Sequence, residues 1–135
     1  MTYDIRHMIL SKKKFRFREF KIYNDARAFG MELKALSKKK FPKEESFGLL
    51  SQLWRASDSI ILNIAEGSDR GTDKDFAHFL NQAQTSLNEV VACLDVALDN
   101  RYLPEADHQL CFEKAVCLVD QLTAFRRSLI NSPSK

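Results

Sequence analysis

Glycine and proline are scarce, at 4 and 3 of 135 residues. Folds with many tight turns need both, glycine for positive φ and proline for its fixed φ, so a β-rich architecture of many short strands is excluded. Cysteine occurs three times, at Cys93, Cys111 and Cys117. That odd count, without a CxxC pair, argues against a disulfide framework and fits a reducing compartment. The three histidines, His7, His78 and His108, are scattered. Zinc sites draw their ligands from paired CxxC or HxxxH units, and His108, Cys111 and Cys117 supply neither, so no metal is expected. Neither GxGxxG nor GxxxxGK[ST] occurs, which leaves no phosphate-cradling loop and no expected cofactor. No apolar run approaches the roughly 18 residues of a membrane span. Met1 to Leu10 carries Asp4, Arg6 and His7 where a signal peptide needs an apolar core, so a cytoplasmic location without membrane contact is expected.

What is present is 44% apolar and 29% charged residues, the composition of one globular domain. The net charge of +3 hides an asymmetry. Residues 1–43 hold 13 Lys and Arg against 4 Asp and Glu, a net of +9, and residues 44–135 hold 8 against 14, a net of −6. Positive charge gathers in Lys12, Lys13, Lys14, Arg16, Arg18 and Lys21, and again in Lys38, Lys39, Lys40 and Lys43. Such clusters attract phosphate backbones and acidic surfaces, with a strength that falls as salt rises; otherwise they are simply solvated ends and loops.

Apolar residues recur at the i, i+3, i+4, i+7 spacing of one helical face in four segments. Ile22, Ala26, Phe29, Leu33 and Leu36 predict a first helix over about 20–39, with Lys38 to Lys40 at its negative end. Phe41-Pro42 interrupts it. A second helix is predicted over about 44–67, with Glu44 and Glu45 in its first turn and an apolar face of Phe47, Leu50, Leu53, Trp54, Ile60, Ile61 and Ile64. Thr72 and Asp75 resemble a capping box at the start of a third helix over about 72–100, whose face includes Phe76, Leu80, Ala83, Leu87, Val90 and Leu94. Pro104 opens a fourth, over about 104–131, with Leu110, Leu118, Leu122, Phe125 and Leu129 inward. Short loops make neighbours antiparallel, so the expected fold is an all-α, up-down-up-down four-helix bundle over 20–131. Residues 1–19 are expected to form a basic extension, and 132–135 a disordered tail.

Two polar stripes lie beside these faces. Gln52, Ala56, Ser59, Asn63, Glu66 and Arg70 follow spacings of 4, 3, 4, 3 and 4, and Gln82, Ser86, Glu89 and Cys93 follow 4, 3 and 4. Facing each other, they would form a network in which Asn63 and Ser59 meet Ser86, while Arg55 or Arg70 pairs with Glu66 or Glu89, inside the bundle or at a subunit interface. Catalysis by Glu66 and Glu89 would need converging acid, base and cleft, and no His lies beside them, so no catalytic residue is expected. Helix two is apolar or small around much of its circumference, with Leu49, Ala56 and Ile60 beyond its main stripe, which suggests burial against a partner or a central place in the bundle.

The run Phe41-Pro42-Lys43-Glu44-Glu45, Phe47-Gly48-Leu49, Ser51-Gln52-Leu53, Arg55-Ala56, Ser59-Ile60 and Asn63-Ile64-Ala65-Glu66-Gly67 with Arg70 is similar to a family of proteins first noticed as reading frames in intervening sequences of bacterial 23S rRNA genes. Phe76, Phe79-Leu80, Ala83, Ser86, Glu89 and Tyr102-Leu103 continue the resemblance, which spans roughly 15–130. At Gln84-Thr85-Ser86 the family more often has glycine before the serine. The resemblance implies a left-handed up-and-down bundle assembled as a homopentamer without enzyme activity. It also implies a likeness in shape to the accessory protein of diversity-generating retroelements, a basic pentamer that binds nucleic acid and a reverse transcriptase.

Two functions are consistent with these features. One is a non-enzymatic homo-oligomer that binds RNA or other nucleic acid electrostatically through Lys12, Lys13, Lys14, Arg16, Arg18, Lys38, Lys39 and Lys40. The other is a protein-interaction scaffold whose basic region docks an acidic protein. Phe15, Phe17 and Phe20, interleaved with cations, suit stacking on unpaired bases; otherwise Phe17 and Phe20 pack onto the end of the bundle while the cations stay in water.

Overall fold

The computed structural model describes residues 14–131. Four helices follow one another, α1 (Lys21–Lys40), α2 (Leu49–Ser68), α3 (Asp73–Asp99) and α4 (Glu105–Ile130), with 3-10 turns at Arg16–Glu19 and Lys43–Glu45. Each helix packs on the next and α1 closes onto α4, with the largest contact between α2 and α3. With connections as short as 69–72 and 100–104, this is the antiparallel four-helix bundle. At 1.5 Å per residue α3 is a rod of about 40 Å. Its core is Leu33 from α1, Leu53, Ile60 and Ile64 from α2, Phe76, Leu80, Leu87, Val90 and Leu94 from α3, and Leu118 and Leu122 from α4. Alanines at 83, 97 and 115 are fully buried and let the rods approach.

Three helices run within a residue or so of the spans read from periodicity, and α2 does not. It starts at Leu49, after a separate turn at Lys43–Glu45. Glu45 lies a full turn outside the helix, where Oε1 accepts the Leu49 amide at 2.9 Å and so caps α2 from its side chain. Glycine at 48 leaves room for this, because a Cβ there would stand 2.6 Å from Glu45 Oε1. Phe47 therefore sits in a turn rather than on the apolar face of a helix, and it is 100% exposed. A second correction concerns α4. Leu110 is 53% exposed, because Cys111 and Ala115 are the residues that meet the core.

Glu45 also joins the two loops at this end of the bundle. Tyr102 Oη donates to Glu45 Oε2 at 2.9 Å, and the Tyr102 ring packs against buried Phe41. Tyr102 is placed by a Schellman turn, in which its amide bonds Ala97 O and the Arg101 amide bonds Leu98 O. That turn puts Arg101 at φ 61°, a left-handed conformation that costs a non-glycine residue roughly 1–2 kcal/mol.

The Leu49 amide, and next the Tyr102 hydroxyl, hold the Glu45 carboxyl below its ordinary 4.5. A carboxylate with a depressed folded pKa stabilises the fold above its unfolded pKa and loses that contribution as pH falls through the folded value. The gap in urea midpoint between wild type and Tyr102→Phe should thus be wide at pH 7 and narrow by pH 3. An equal gap at both would refute the clamp.

At the opposite end, the Arg16 guanidinium donates to Ser68 O from Nε at 3.1 Å and Nη2 at 2.7 Å, a cation on the C-terminal carbonyls of α2. It also lies over the rings of Phe20 and Phe76. Phe20 stacks on Phe76 and meets Phe125 edge-on, and Phe17 packs on Tyr23. Residues 14–19 thus lie against the bundle, and these two phenylalanines take the packing role. Thr72 Oγ1 accepts the Asp75 amide at 3.1 Å, capping α3. The rest of the basic extension, 1–13, and the tail 132–135 lie outside the described residues.

Candidate nucleic-acid interface and polar stripe

Among the cations read as one basic region, Lys12 and Lys13 lie outside the described residues. Lys14, Arg18, Lys38, Lys39 and Lys40 are exposed, and no ion pair engages them among the described residues. Arg16 stands apart from them, since its donors cap α2. The rest fall into two groups. Lys14 and Arg18 precede α1 and Lys38 to Lys40 end it, so the 20 residues of the helix separate them by about 30 Å. Adjacency along the chain hides this, although the helix length already contains it. Lys43 and Arg101, both exposed, join the second group, because the Glu45–Tyr102 hydrogen bond holds their two loops together.

The polar stripes meet along the seam of α2 and α3. Ser59 Oγ and Ser86 Oγ are 2.8 Å apart, and Asn63 Nδ2 donates to Ser59 O at 2.8 Å and Ser59 Oγ at 3.1 Å. These three side chains are half-buried. Gln52, Arg55, Glu66, Arg70 and Glu89 line the exposed rim. Arg70 reaches Glu66 at 3.9 Å and lies over the Phe79 ring at 4.5 Å from its centroid. No ion pair joins Arg55 to Glu89 among the described residues. Ala56 and Ile60 are buried within the single chain, so they leave no apolar surface for a partner, whereas Leu62 on the outward side of α2 is 65% exposed.

Elsewhere the ionisable groups pair with neighbours across the seams. Asp25 accepts from Lys21 and from Gln121, which hold its carboxyl below the usual range, and Lys114 meets Glu32. Asp25, Gln121, Glu32 and Lys114 line a shallow pocket of about 190 Å³ between α1 and α4. His108 Nε2 lies 2.8 Å from Asp95 Oδ1. Burial pushes the Cys93 and Cys111 thiols up, which keeps them as unreactive thiols near neutral pH. Among the described residues no three His, Cys, Asp or Glu side chains are grouped to hold a metal ion, and no helix is long and apolar enough to cross a membrane.

Comparison with known proteins follows the same outline. A protein of unknown function from the S23 ribosomal protein family of Bacteroides thetaiotaomicron has the same fold at a TM-score of 0.72 and 20% identity, over 78% of this chain and 98% of that one. A comparison with curated proteins gave no match. The family model described as 23S rRNA-intervening sequence protein matches residues 18–124, a span from the end of the Arg16–Glu19 turn through most of α4. The chain belongs to the family of 23S rRNA-intervening sequence proteins.

Proposed function

We propose that this protein is a non-enzymatic homo-oligomer, most simply the pentamer that the family resemblance implies, which binds RNA or another nucleic acid through phosphate contacts. The observation that carries this reading is the set of exposed lysines at the C-terminal end of α1, Lys38 to Lys40, which face water beside Lys43 and Arg101. Lys14 and Arg18 form a second, smaller group at the other end. Contacts of this kind position a polyanion without reading its sequence. Self-association draws support from large apolar side chains left on the surface, among them Met31, Leu62 and Ile130. The seam of Ser59, Asn63 and Ser86 fixes the register of α2 on α3, and its rim of Gln52, Arg55, Glu66, Arg70 and Glu89 offers polar contacts to a neighbouring subunit.

Size-exclusion chromatography with light scattering, run with absorbance recording at low and high salt, tests both parts. A mass near five subunits, with nucleic acid shed as salt rises, is the expected result. Lys38, Lys39 and Lys40 changed together to Glu should strongly weaken retention of a mixed-sequence RNA at low salt, leaving only the smaller group at the other end, with the mass unchanged. A clean oligomer without nucleic acid at low salt would favour a scaffold for an acidic protein, and a monomer at micromolar concentration would remove the assembly.

A further inference from the structure

Phe47 is the most exposed large apolar side chain described. Its turn is held from within. Glu45 accepts the Leu49 amide and the Tyr102 hydroxyl, and the amides of Ser46 and Gly48 bond Lys43 O and Glu45 O at 3.0 Å. The ring is therefore presented to water on a braced loop, so contact with a ligand costs little further ordering. Cations lie at the same end of the bundle. Lys43 is four residues away, within about 15 Å along the chain, Lys38 to Lys40 end the preceding helix, and Arg101 adjoins Tyr102 across the loop-to-loop hydrogen bond. Of the acids at this end, Glu45 is turned inward on its two donors, while Glu44 beside the ring and Asp99 and Glu105 flanking the 100–104 loop are exposed.

An exposed aromatic side chain on a loop end that also carries lysines and an arginine is the chemistry that takes a single-stranded polynucleotide, with a base on the ring and phosphates on the cations. A duplex keeps its bases stacked inside and offers nothing to Phe47. Arg101 strengthens the argument, because a left-handed residue at the end of a helix is usually glycine, yet here a cation occupies that position in one of these loops. We infer that the end of the bundle formed by loops 41–48 and 100–104 binds single-stranded RNA or DNA, with an unpaired base stacked on Phe47 and phosphates held by Lys38, Lys39, Lys40, Lys43 and Arg101. This rests on the phosphate-binding function proposed above and adds to it the strandedness of the ligand and the end of the molecule that takes it.

Fluorescence anisotropy of the full chain with a 12-nucleotide oligouridylate, the matching oligothymidylate and a 12-base-pair RNA duplex provides the test. Phe47→Ala should weaken binding of the single strands by about 5- to 100-fold, with an unchanged salt slope because no phosphate contact is lost. Duplex affinity should not move. Phe47→Trp should restore single-strand affinity, and its emission should be quenched by the bound base. Arg101→Gly, which relieves the left-handed turn, should lower the single-strand salt slope by about 0.7 while leaving the melting temperature unchanged or higher. The ratio of uridylate to thymidylate affinity identifies which polynucleotide is preferred. Equal single-strand affinity of wild type and Phe47→Ala, in a wild type whose binding falls with salt, would overturn this inference alone. A wild type that binds none of the three probes would overturn the phosphate-binding function and this inference together. A change in assembly mass on Phe47→Ala would make Phe47 a subunit contact and equally overturn the stacking role.

Discussion

Phe76→Ala should cost the bundle about 3–5 kcal/mol, the range for deleting a buried phenyl ring. The ring is 2% exposed and stands where four parts of the chain meet. Phe20 stacks on it from the lead-in to α1, Phe125 meets it edge-on from α4, Arg16 lies over it, and Gly67 of α2 approaches its edge. Because the neighbours come from separate elements, they cannot all move into the void, so the loss should fall in the upper part of the range. Against the 5–15 kcal/mol of a typical domain this is a large fraction, and for a chain of this size it corresponds to a fall of roughly 10–20 °C in melting temperature. Thermal unfolding followed by circular dichroism measures it. A fall of only a few degrees would mean that Phe20 and Phe125 close over the gap and that this end is softer than its contacts imply.

Gly67→Ala sets two effects against each other. Alanine is the better helix former by about 1 kcal/mol. Its Cβ, however, would stand 2.6 Å from Phe79 Cβ and 3.0 Å from Phe76 Cδ1. Phe79 Cβ is bonded directly to the α3 backbone and cannot rotate away, so α2 and α3 must separate along their largest contact. Overpacking of this kind costs typically about 1–3 kcal/mol and sometimes more, so the net result should be destabilising. Gly30→Ala is the control. There the nearest atom is Ser57 Oγ at 3.0 Å, the end of a rotatable side chain that has no hydrogen-bond partner of its own. Swung toward the Leu53 carbonyl it would both clear the methyl and gain a bond, so this change should be neutral or stabilising by up to about 1 kcal/mol. Chemical denaturation of both variants separates the cases, and if both shift the same way the close-approach argument fails.

The helices were legible because their apolar residues are large and regularly spaced. Where the reading failed, a different force had taken over. Glu44 and Glu45 look like first-turn acids, but Glu45 works from outside the helix, capping α2 through its side chain and receiving a tyrosine hydroxyl 57 residues away. The local cap and that tertiary bond together hold the turn that delays the helix until Leu49 and takes Phe47 off the apolar face. On α4 the small Cys111 and Ala115 point inward while the larger Leu110 points out, a choice that hydrophobicity alone makes the wrong way. Ser59, Asn63 and Ser86 could be read as facing stripes from spacing. Arg16 could not be placed, because its partner is a backbone carbonyl 52 residues on, and carbonyls leave no mark in a sequence.

The length of α1 acts as a ruler on any polyanion that meets this protein. The two groups of cations at its ends are held about 30 Å apart by a rod that cannot shorten, which is close to nine steps of a B-form duplex. A shorter ligand reaches one end at a time and feels only that end's charge. A longer one can bridge both, and its second contact is then made at the high local concentration set by the first. Affinity should therefore rise in a step with ligand length rather than smoothly, at a length dictated by the number of residues in one helix.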